Sequence, residues 1–259
     1  MNTLERRIRD AQGQGRLALV PFLTAGFPDG ESFWPILMEL EENGADIIEI
    51  GIPFSDPVAD GPVVEEASRR ALADGVTLRA VLDELRQRRS FFKAGIVLMG
   101  YLNPFLQHGY ERLVADASAA GVDGFIVPDM PYEESGAFKA MLAEAGIALI
   151  PLVGPNTPRK RMELYARDCE GYVYVVSVMG TTGERAALPP EAAATLRLAH
   201  EVFDRPLALG FGLKHPAQLA GLGPKERPEA AVFGSALLRH IDAGRPAGEF
   251  LQQWRAAGG

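Results

Sequence analysis

The stretch GADIIEIGIPFSDPVADGP, residues 44–62, joins an apolar run to a loop rich in proline and glycine. Its first part, residues 45–54, is almost continuously apolar rather than alternating between apolar and polar residues. This pattern is typical of a parallel strand that is buried on both faces. The glycine at position 44 follows a helical pattern and fits the left-handed conformation that often ends a helix. The stretch therefore predicts a helix–strand–loop unit of an α/β protein.

The same unit recurs along the rest of the chain. Short apolar runs alternate with longer segments whose apolar residues recur at helical spacing. The eight predicted strands are residues 17–22, 45–54, 95–101, 124–129, 147–153, 172–178, 206–212 and 231–235. The predicted helices are residues 32–43, 62–74 with 78–89, 110–120, 133–145, 158–167, 190–202, 216–222 and 236–241.

Eight β–α units in about 250 residues match the usual size of a closed (β/α)8 barrel. We therefore predict an α/β protein built as a single TIM barrel over residues 1–259, with an extra helix at its N-terminus. A doubly wound open sheet is the alternative, because apolar periodicity does not report whether a sheet closes. No linker, low-complexity tract or block of like charge marks a second domain.

The composition limits the classes of function. A formal net charge of −8 disfavours non-specific binding to nucleic acid or to an anionic membrane. Residues 1–10 lack the apolar segment of a secretory signal, and no apolar run is long enough to cross a bilayer. The single cysteine, Cys169, and the four scattered histidines have no metal-ligand spacing. We therefore expect a cytoplasmic protein without a metal site.

Glycines follow three neighbouring predicted strands. The seventh run ends in Gly210-Phe211-Gly212, the eighth in Gly234-Ser235, and Gly180-Thr181-Thr182-Gly183 follows the sixth. Glycine lets the backbone approach an anion, and a helix that begins near Ser235 would direct free N–H groups at it. Phosphate often binds after strands 7 and 8 of such barrels. The glycines could serve only as tight turns, but their coincidence favours a phosphorylated ligand.

Two carboxylates in the opening stretch are candidates for catalysis. Glu49 lies inside an apolar strand, where burial disfavours the charged form and raises the pKa of a carboxyl group. Such a group suits general acid–base chemistry near neutral pH, and a buried ion pair is an equally good explanation. Asp60 could bind a substrate N–H, although Asp before Gly-Pro is common turn chemistry. Asp46 is expected at the strand entrance, away from the chemistry.

The lysines restrict the reaction class. An aldolase that forms an imine needs a lysine that projects into the barrel mouth. None of the five lysines lies within a predicted strand; they are Lys93, Lys139, Lys160, Lys214 and Lys225. Carbon–carbon cleavage without such a lysine or a metal would need an electron sink inside the substrate.

The stretch 44–62 resembles the signature of the tryptophan synthase α-subunit family at nearly every position. The other similar segments are Phe22-Leu23-Thr24-Ala25-Gly26, Asn103-Pro104, residues 121–130, Ser177 with Gly180 and Thr182-Gly183, Gly210-Phe211-Gly212 and Gly234-Ser235-Ala236. The resemblance covers residues 17–241. It implies an eight-stranded barrel that cleaves indole-3-glycerol phosphate into indole and glyceraldehyde 3-phosphate by a retro-aldol reaction.

The resemblance also implies a role for each site residue. Glu49 would protonate C3 of the indole ring and help to remove the side-chain hydroxyl proton, and Asp60 would hold the indole N–H. The phosphate would be bound by the backbone of Gly183, Gly212, Gly234 and Ser235. The indole slot would be formed by Phe22, Met99, Ile126, Tyr174, Phe211 and Val232, with Thr182 on a lid at residues 179–188. A plain barrel core is the alternative for each slot residue except Tyr174.

The family works as an α2β2 complex that passes indole to a β subunit carrying pyridoxal phosphate, so this chain would hold no cofactor itself. The Asp56 loop and Asn103-Pro104-Phe105 would face that subunit. Three alternatives stay open: a free-standing indole-3-glycerol phosphate lyase, a non-catalytic barrel that only activates a partner, and another phosphosugar isomerase or aldolase.

The chain departs from the family pattern at two places. After Gly212 the family usually continues Ile-Ser, whereas this chain has Leu213-Lys214-His215. Residues 223–229 stand where the family commonly has a Gly-Ala-Asp-Gly turn. The second departure precedes the last strand, on the face of a barrel where changes affect stability more than chemistry.

Overall fold

The computed structural model describes residues 1–177 and 188–256. Within these ranges it contains nine short strands, and every neighbouring pair is parallel. The strands are β1 Ala18–Thr24, β2 Ile47–Gly51, β3 Gly95–Met99, β4 Gly124–Ile126, β5 Ala148–Leu149, β6 Leu152–Val153, β7 Val173–Val176, β8 Leu207–Gly210 and β9 Ala230–Phe233. Seven of the predicted strands correspond to one observed strand each. The predicted strand at residues 147–153 forms both β5 and β6.

The fifth predicted strand closes the sheet into a barrel. The strand order is β5-β4-β3-β2-β1-β9-β8-β7-β6, so the two ends of the sheet are consecutive parts of one short segment. On one side the N–H of Ile150 donates to the carbonyl of Phe125, and on the other the N–H of Tyr174 donates to the carbonyl of Pro151. The segment is divided at Pro151 because proline has no N–H to give to a ladder. The closed barrel is confirmed over the open sheet.

Helices surround the barrel. Those within the described residues are α1 Thr3–Gly13, α2 Gly30–Glu42, α3 Pro62–Ala73, α4 Leu78–Arg88, α5 Leu102–His108, α6 Tyr110–Ala120, α7 Gly136–Glu144, α8 Arg159–Ala166, α9 Pro190–Val202, α10 Ser235–Asp242 and α11 Ala247–Ala256. The predicted helices at residues 110–120 and 190–202 have these same bounds. The other predicted α-helices, apart from the one at residues 216–222, agree with the observed ones to within three residues at each end.

The sequence interpretation was wrong about one helix and missed two others. The segment predicted as a helix at residues 216–222 is a short 3-10 helix, Pro216–Leu219, because the glycines at 221 and 223 allow no longer helix. Helix α5 was missed because it has only seven residues and contains a proline. Helix α11 was missed because its packing partner, Phe233, is distant in sequence; the ring of Trp254 stacks on Phe233 at 5.2 Å.

The N-terminal helix closes one end of the barrel. Leu4 of α1 is fully buried against Gly95 and Gly124, the first residues of β3 and β4. A Cβ atom added to either glycine would lie 2.6 or 2.7 Å from the Leu4 side chain. The extra N-terminal helix is thus confirmed, and its leucine fills the N-terminal mouth. The opposite mouth, where the strands end, opens into a pocket.

Candidate active site

A pocket opens at the C-terminal ends of the strands, the position at which barrels of this class place their active sites. It brings together ten of the thirteen predicted site residues. The pocket is lined by Phe22, Glu49, Asp60, Gly61, Val64, Met99, Tyr174, Phe211, Gly212, Leu213, Lys214, Val232, Gly234, Ser235, Ala236 and Arg239. Thr182 and Gly183, and the predicted lid apart from Leu188, lie outside the described residues. Ile126 is fully buried beside Met99 in the ladder and does not line the pocket.

Glu49 lines this pocket and has no counterion among the residues that the structure describes. The side chain is fully buried, and neither carboxylate oxygen has a hydrogen-bond partner within residues 1–177 and 188–256. Loss of solvation, followed by the charge of Asp60, raises the pKa of Glu49 to about 8. At neutral pH the group is therefore mainly a carboxylic acid, which is the form that can donate a proton.

Asp46 shows what a structural carboxylate in the same run looks like. Its two oxygens accept hydrogen bonds of 2.7 Å from the guanidinium of Arg16, and one of them also accepts from the N–H of Leu19 at 2.9 Å. The buried ion pair considered from the sequence is thus found at Asp46 and not at Glu49. The expected position of Asp46, away from the pocket, agrees with the structure.

Asp60 lies on the loop between β2 and α3, across the pocket from Glu49. Burial raises the pKa of Asp60 to about 6, hydrogen bonding with Tyr101 opposes that rise, and the charge of Glu65 adds to it. The N–H of the preceding residue, Ala59, donates to the Tyr101 hydroxyl at 3.0 Å. At neutral pH Asp60 is mainly ionised. The pocket therefore holds one carboxylic acid, Glu49, and one carboxylate, Asp60.

Tyr101 is a site residue that the sequence interpretation missed. It lies two residues after the end of β3, at the rim where functional side chains of a barrel collect, and that position was the available signal. Its ring packs on Phe54 with centroids 5.3 Å apart, which fixes the hydroxyl beside the Asp60 loop. Burial, followed by the nearby charge of Asp60, raises the pKa of the Tyr101 hydroxyl, so it stays protonated and can donate.

The walls of the pocket are apolar and closely packed. Tyr174 and Phe211 meet edge to face at 5.9 Å, with Met99 and Val232 also in the lining. Phe22 is confined between two glycines: a Cβ added to Gly51 would lie 2.5 Å from its ring, and one added to Gly234 would lie 2.9 Å from it. A flat aromatic ligand suits such a slot, since apolar walls with few polar groups are typical of small-molecule sites.

Another group of lining residues is suited to an anion. Helix α10 begins at Ser235, its N-cap residue is Gly234, and no side chain caps it. The first N–H groups of a helix have no partner within the helix, and its N-terminus attracts negative charge. Gly212 has a φ of +87° and Phe211 one of +62°, so the turn after β8 runs through two left-handed residues. Gly212, Gly234 and Ser235 therefore line an end of the pocket where backbone groups can approach a phosphate.

Two features are absent from residues 1–177 and 188–256, a cluster of metal ligands and a membrane-spanning helix. Within these ranges, no three His, Cys, Asp or Glu side chains are grouped so that they could hold a metal ion. No helix in the same ranges combines the length and the apolar character needed to span a bilayer.

A family model described as Tryptophan synthase alpha chain matches residues 8–255. The chain belongs to this family. Alpha chains of tryptophan synthase are carbon–carbon lyases that cleave indole-3-glycerol phosphate, and this chain is a lyase of that kind. Family membership also implies a beta subunit as a partner.

Curated relatives agree with the family model along nearly the whole chain. The alpha chain of Desulfovibrio desulfuricans is 67% identical over 255 residues, which cover 98% of this chain and 100% of the relative. The alpha chain of Nitratidesulfovibrio vulgaris is 60% identical over 251 residues, covering 97% of each.

Solved structures agree with the fold. Mycobacterium tuberculosis tryptophan synthase contains a chain that is 32% identical and superposes with a TM-score of 0.89, covering 98% of this chain and 97% of that one. The alpha chain of Legionella pneumophila is 33% identical with a TM-score of 0.86, covering 99% and 97%. The barrel fold of this chain is therefore the fold seen in solved structures of the same family.

Proposed function

We propose that this chain cleaves indole-3-glycerol phosphate with Glu49 as the acid–base residue. In the first step the Glu49 carboxyl group protonates C3 of the indole ring. In the second step its carboxylate accepts the proton of the hydroxyl next to that carbon, the carbon–carbon bond breaks, and its electrons return to the ring. The products are indole and glyceraldehyde 3-phosphate, and Glu49 ends protonated as it began. The observation that supports this role is a fully buried carboxyl group with a pKa of about 8 and no cation beside it in the described residues.

The other pocket residues bind the two ends of the substrate. The Asp60 carboxylate accepts a hydrogen bond from the indole N–H and stabilises the positive charge that the ring carries after C3 is protonated. Phe22, Met99, Tyr174, Phe211 and Val232 enclose the ring, and Ile126 supports Met99 from behind. The backbone of Gly212, Gly234 and Ser235 binds the phosphate. Thr182 and Gly183 complete the ring and phosphate sites in this proposal.

The partner in this proposal is the beta subunit of an α2β2 tryptophan synthase in the cytoplasm. Pyridoxal phosphate sits on that subunit, which receives indole from this chain. The rim formed by the Asp56 loop and by Asn103-Pro104 faces it. Phe105, which the resemblance also placed there, is fully buried and packs on Phe125. Two exposed apolar side chains support the assignment: Val58, in the Asp56 loop, is 82% exposed, and Leu106, which follows Phe105, is 52% exposed.

The test measures indole release from indole-3-glycerol phosphate, with and without the beta subunit of a related tryptophan synthase. We expect Glu49→Gln to abolish cleavage while substrate binding changes less than a few-fold, because the amide keeps the shape but cannot transfer the proton. Glu144→Gln makes the same chemical change at an exposed position on α7 and should be silent. Substantial turnover by Glu49→Gln would refute the role of Glu49.

The beta subunit separates the two candidate forms of the enzyme. A strong increase of indole release when the beta subunit is added supports the two-subunit enzyme. An unchanged, already fast release would show a free-standing lyase. The exposed side chains of Val58 and Leu106 favour the first of these forms.

A further inference from the structure

Lys214 differs from the other lysines of the chain in its surroundings. Lys93, Lys160 and Lys225 are exposed, and the half-buried Lys139 pairs with Asp168. Lys214 is also half-buried, yet its side chain takes part in no ion pair or hydrogen bond among the described residues. The apolar stem of a half-buried lysine can be covered while its ammonium group stays free to pair with an incoming anion. The position of Lys214 shows where that anion can come from, since it lines the same pocket as Gly212, Gly234 and Ser235.

The backbone N–H groups of Lys214 and His215 already have a hydrogen-bond acceptor within the protein. The side-chain oxygen of Gln218 accepts hydrogen bonds from the N–H groups of Lys214 at 2.6 Å and of His215 at 3.0 Å. The Gln218 amide group donates in turn to the carbonyl of Gly212 at 3.1 Å. These bonds hold the turn after β8 and leave neither N–H for a ligand. A contribution of Lys214 to ligand binding must therefore come from its side chain, whose flexible four-carbon stem ends in three donors.

The negative charge of the chain and of its pocket means that a cation in the pocket favours binding of a phosphate. The chain has a net charge of −8, and the pocket itself contains the mainly ionised Asp60. An entering phosphate dianion meets this negative charge, which backbone dipoles alone offset only in part. In the described lining the cationic residues are Lys214, on the turn after β8, and the exposed Arg239, on α10. The two follow the strand ends that supply Gly212 and Gly234, so they flank the anion-binding end.

We propose that the Lys214 side chain forms an ion pair with the phosphate of the substrate, as an addition to the backbone groups that bind it. The proposal rests on the function proposed above, because it takes the phosphate of indole-3-glycerol phosphate as its ligand. The phosphate does not react, so this ion pair stabilises the ground state and the transition state equally. Lys214 accordingly sets KM and contributes little to kcat, while the exposed Arg239 guanidinium is screened by water and contributes less.

The experiment compares Lys214→Ser, Lys214→Arg and Lys225→Ser with the unchanged chain in complex with a beta subunit. Lys225→Ser removes the same charge from an exposed position far from the pocket and serves as the control. We expect Lys214→Ser to raise KM for indole-3-glycerol phosphate about five- to tenfold, the range for loss of one partly exposed charge-assisted hydrogen bond. The kcat should change less than twofold, and Lys214→Arg should restore most of the lost affinity.

Binding of two simple ligands separates the effect of the Lys214 charge from any other effect of the substitution. Inorganic phosphate should bind Lys214→Ser more weakly by a similar factor in calorimetry, whereas indole, which is uncharged, should inhibit all variants equally. Higher salt should weaken phosphate binding to the unchanged chain more steeply than to Lys214→Ser, because salt screens the ion pair.

The experiment distinguishes failure of the Lys214 ion pair from failure of the proposed function. If the unchanged chain cleaves its substrate and Lys214→Ser has the same KM and the same phosphate affinity, the ion pair is refuted and the proposed function stands. If the unchanged chain releases no indole, the proposed function fails. In that case the phosphate calorimetry still decides whether Lys214 binds an anion. A Lys214→Ser protein with lowered affinity for indole as well as phosphate would show a disturbed pocket and would also overturn the ion pair.

Discussion

The hydroxyl group of Tyr101 connects the end of β3 to the loop that holds Asp60. It accepts a hydrogen bond from the N–H of Ala59 at 3.0 Å, so its own proton remains available for the Asp60 carboxylate. Hydrogen bonding from Tyr101 lowers the pKa of Asp60 against the larger effect of burial. One side chain thus fixes the position of the loop and favours the charged form of its carboxylate.

The first prediction concerns Tyr101→Phe, which keeps the ring packed on Phe54 and removes only the hydroxyl. We expect kcat/KM to fall about tenfold, the loss of one hydrogen bond to a charged group. The acidic limb of the kcat/KM profile should also move to higher pH, because Asp60 loses the donor that lowers its pKa. Tyr110→Phe, which removes a hydroxyl from a residue outside the pocket, is the control. An unshifted limb would mean that Tyr101 acts only by packing.

The second prediction is a bell-shaped dependence of kcat/KM on pH. Activity needs Asp60 ionised and Glu49 protonated, so it should rise through an apparent pKa of about 6 and fall through one of about 8. These values belong to the pair, because the two carboxyl groups interact. The substrate phosphate also titrates near pH 6. The alkaline limb is therefore the decisive one, and activity that stayed level from pH 7 to pH 10 would contradict the assigned form of Glu49.

The third prediction concerns stability rather than activity. The pKa of Glu49 is about 8 in the folded chain and near its ordinary value of 4.5 when unfolded. At a pH between these two pKa values the unfolded chain binds fewer protons than the folded chain. The free energy of unfolding therefore falls as the pH rises. Each pKa unit is worth about 1.4 kcal/mol. Glu49→Gln has no such proton to lose, and its stability relative to the unchanged chain should therefore increase from pH 5 to pH 8 and then level off.

Urea denaturation of both proteins across pH 5 to 9 measures this difference. The Glu144→Gln protein, altered at an exposed carboxylate, should run parallel to the unchanged chain. Parallel curves for Glu49→Gln as well would show that Glu49 titrates normally in the folded state, and the acid–base role would lose its main support.

The sequence predicted the strands and the pocket more completely than the pairing of charges. Apolar periodicity reports which segments are buried, and eight buried runs of the right length lead to a barrel whose strand ends collect Glu49, Gly212 and Ser235. Periodicity does not report contacts between distant segments. Asp46 and Glu49 lie in the same run, and only the fold shows that Arg16 reaches Asp46 while Glu49 has no such partner in the described chain.

The same limit applies to Tyr101, which was missed, and to Lys214 and Ile126, whose positions in or behind the pocket depend on the fold. Tyr101 acts on Ala59, which is 42 positions earlier in the chain, and no local pattern reports that distance. The position of Lys214 in the pocket lining depends on the turn through Phe211 and Gly212, whose two positive φ angles are set by the fold around Gln218. Ile126 was assigned to the slot from the family pattern, whereas its burial behind Met99 follows from barrel geometry.

The fourth prediction uses the confinement of Phe22 between Gly51 and Gly234. A Cβ at Gly234 would lie 2.9 Å from Cδ1 of Phe22, and one at Gly51 would lie 2.5 Å from Cζ, so both glycines lie close against the same ring. Gly234→Ala should therefore displace either the ring or the start of α10, and we expect substrate affinity to fall about tenfold. Gly136→Ala, where an added Cβ meets nothing within 4 Å, is the matched control.

A second substitution distinguishes crowding from a loss of backbone flexibility. Phe22→Leu removes part of the ring that the new Cβ would meet, so the double variant Gly234→Ala with Phe22→Leu should bind better than the sum of the single effects allows. Residues in contact give such non-additive cycles, whereas independent sites add. Inhibition by inorganic phosphate and by indole should be measured for all four proteins of the cycle. Additive losses would show that Gly234 is needed for its backbone conformation alone, and that the close approach of Phe22 does not shape the phosphate end.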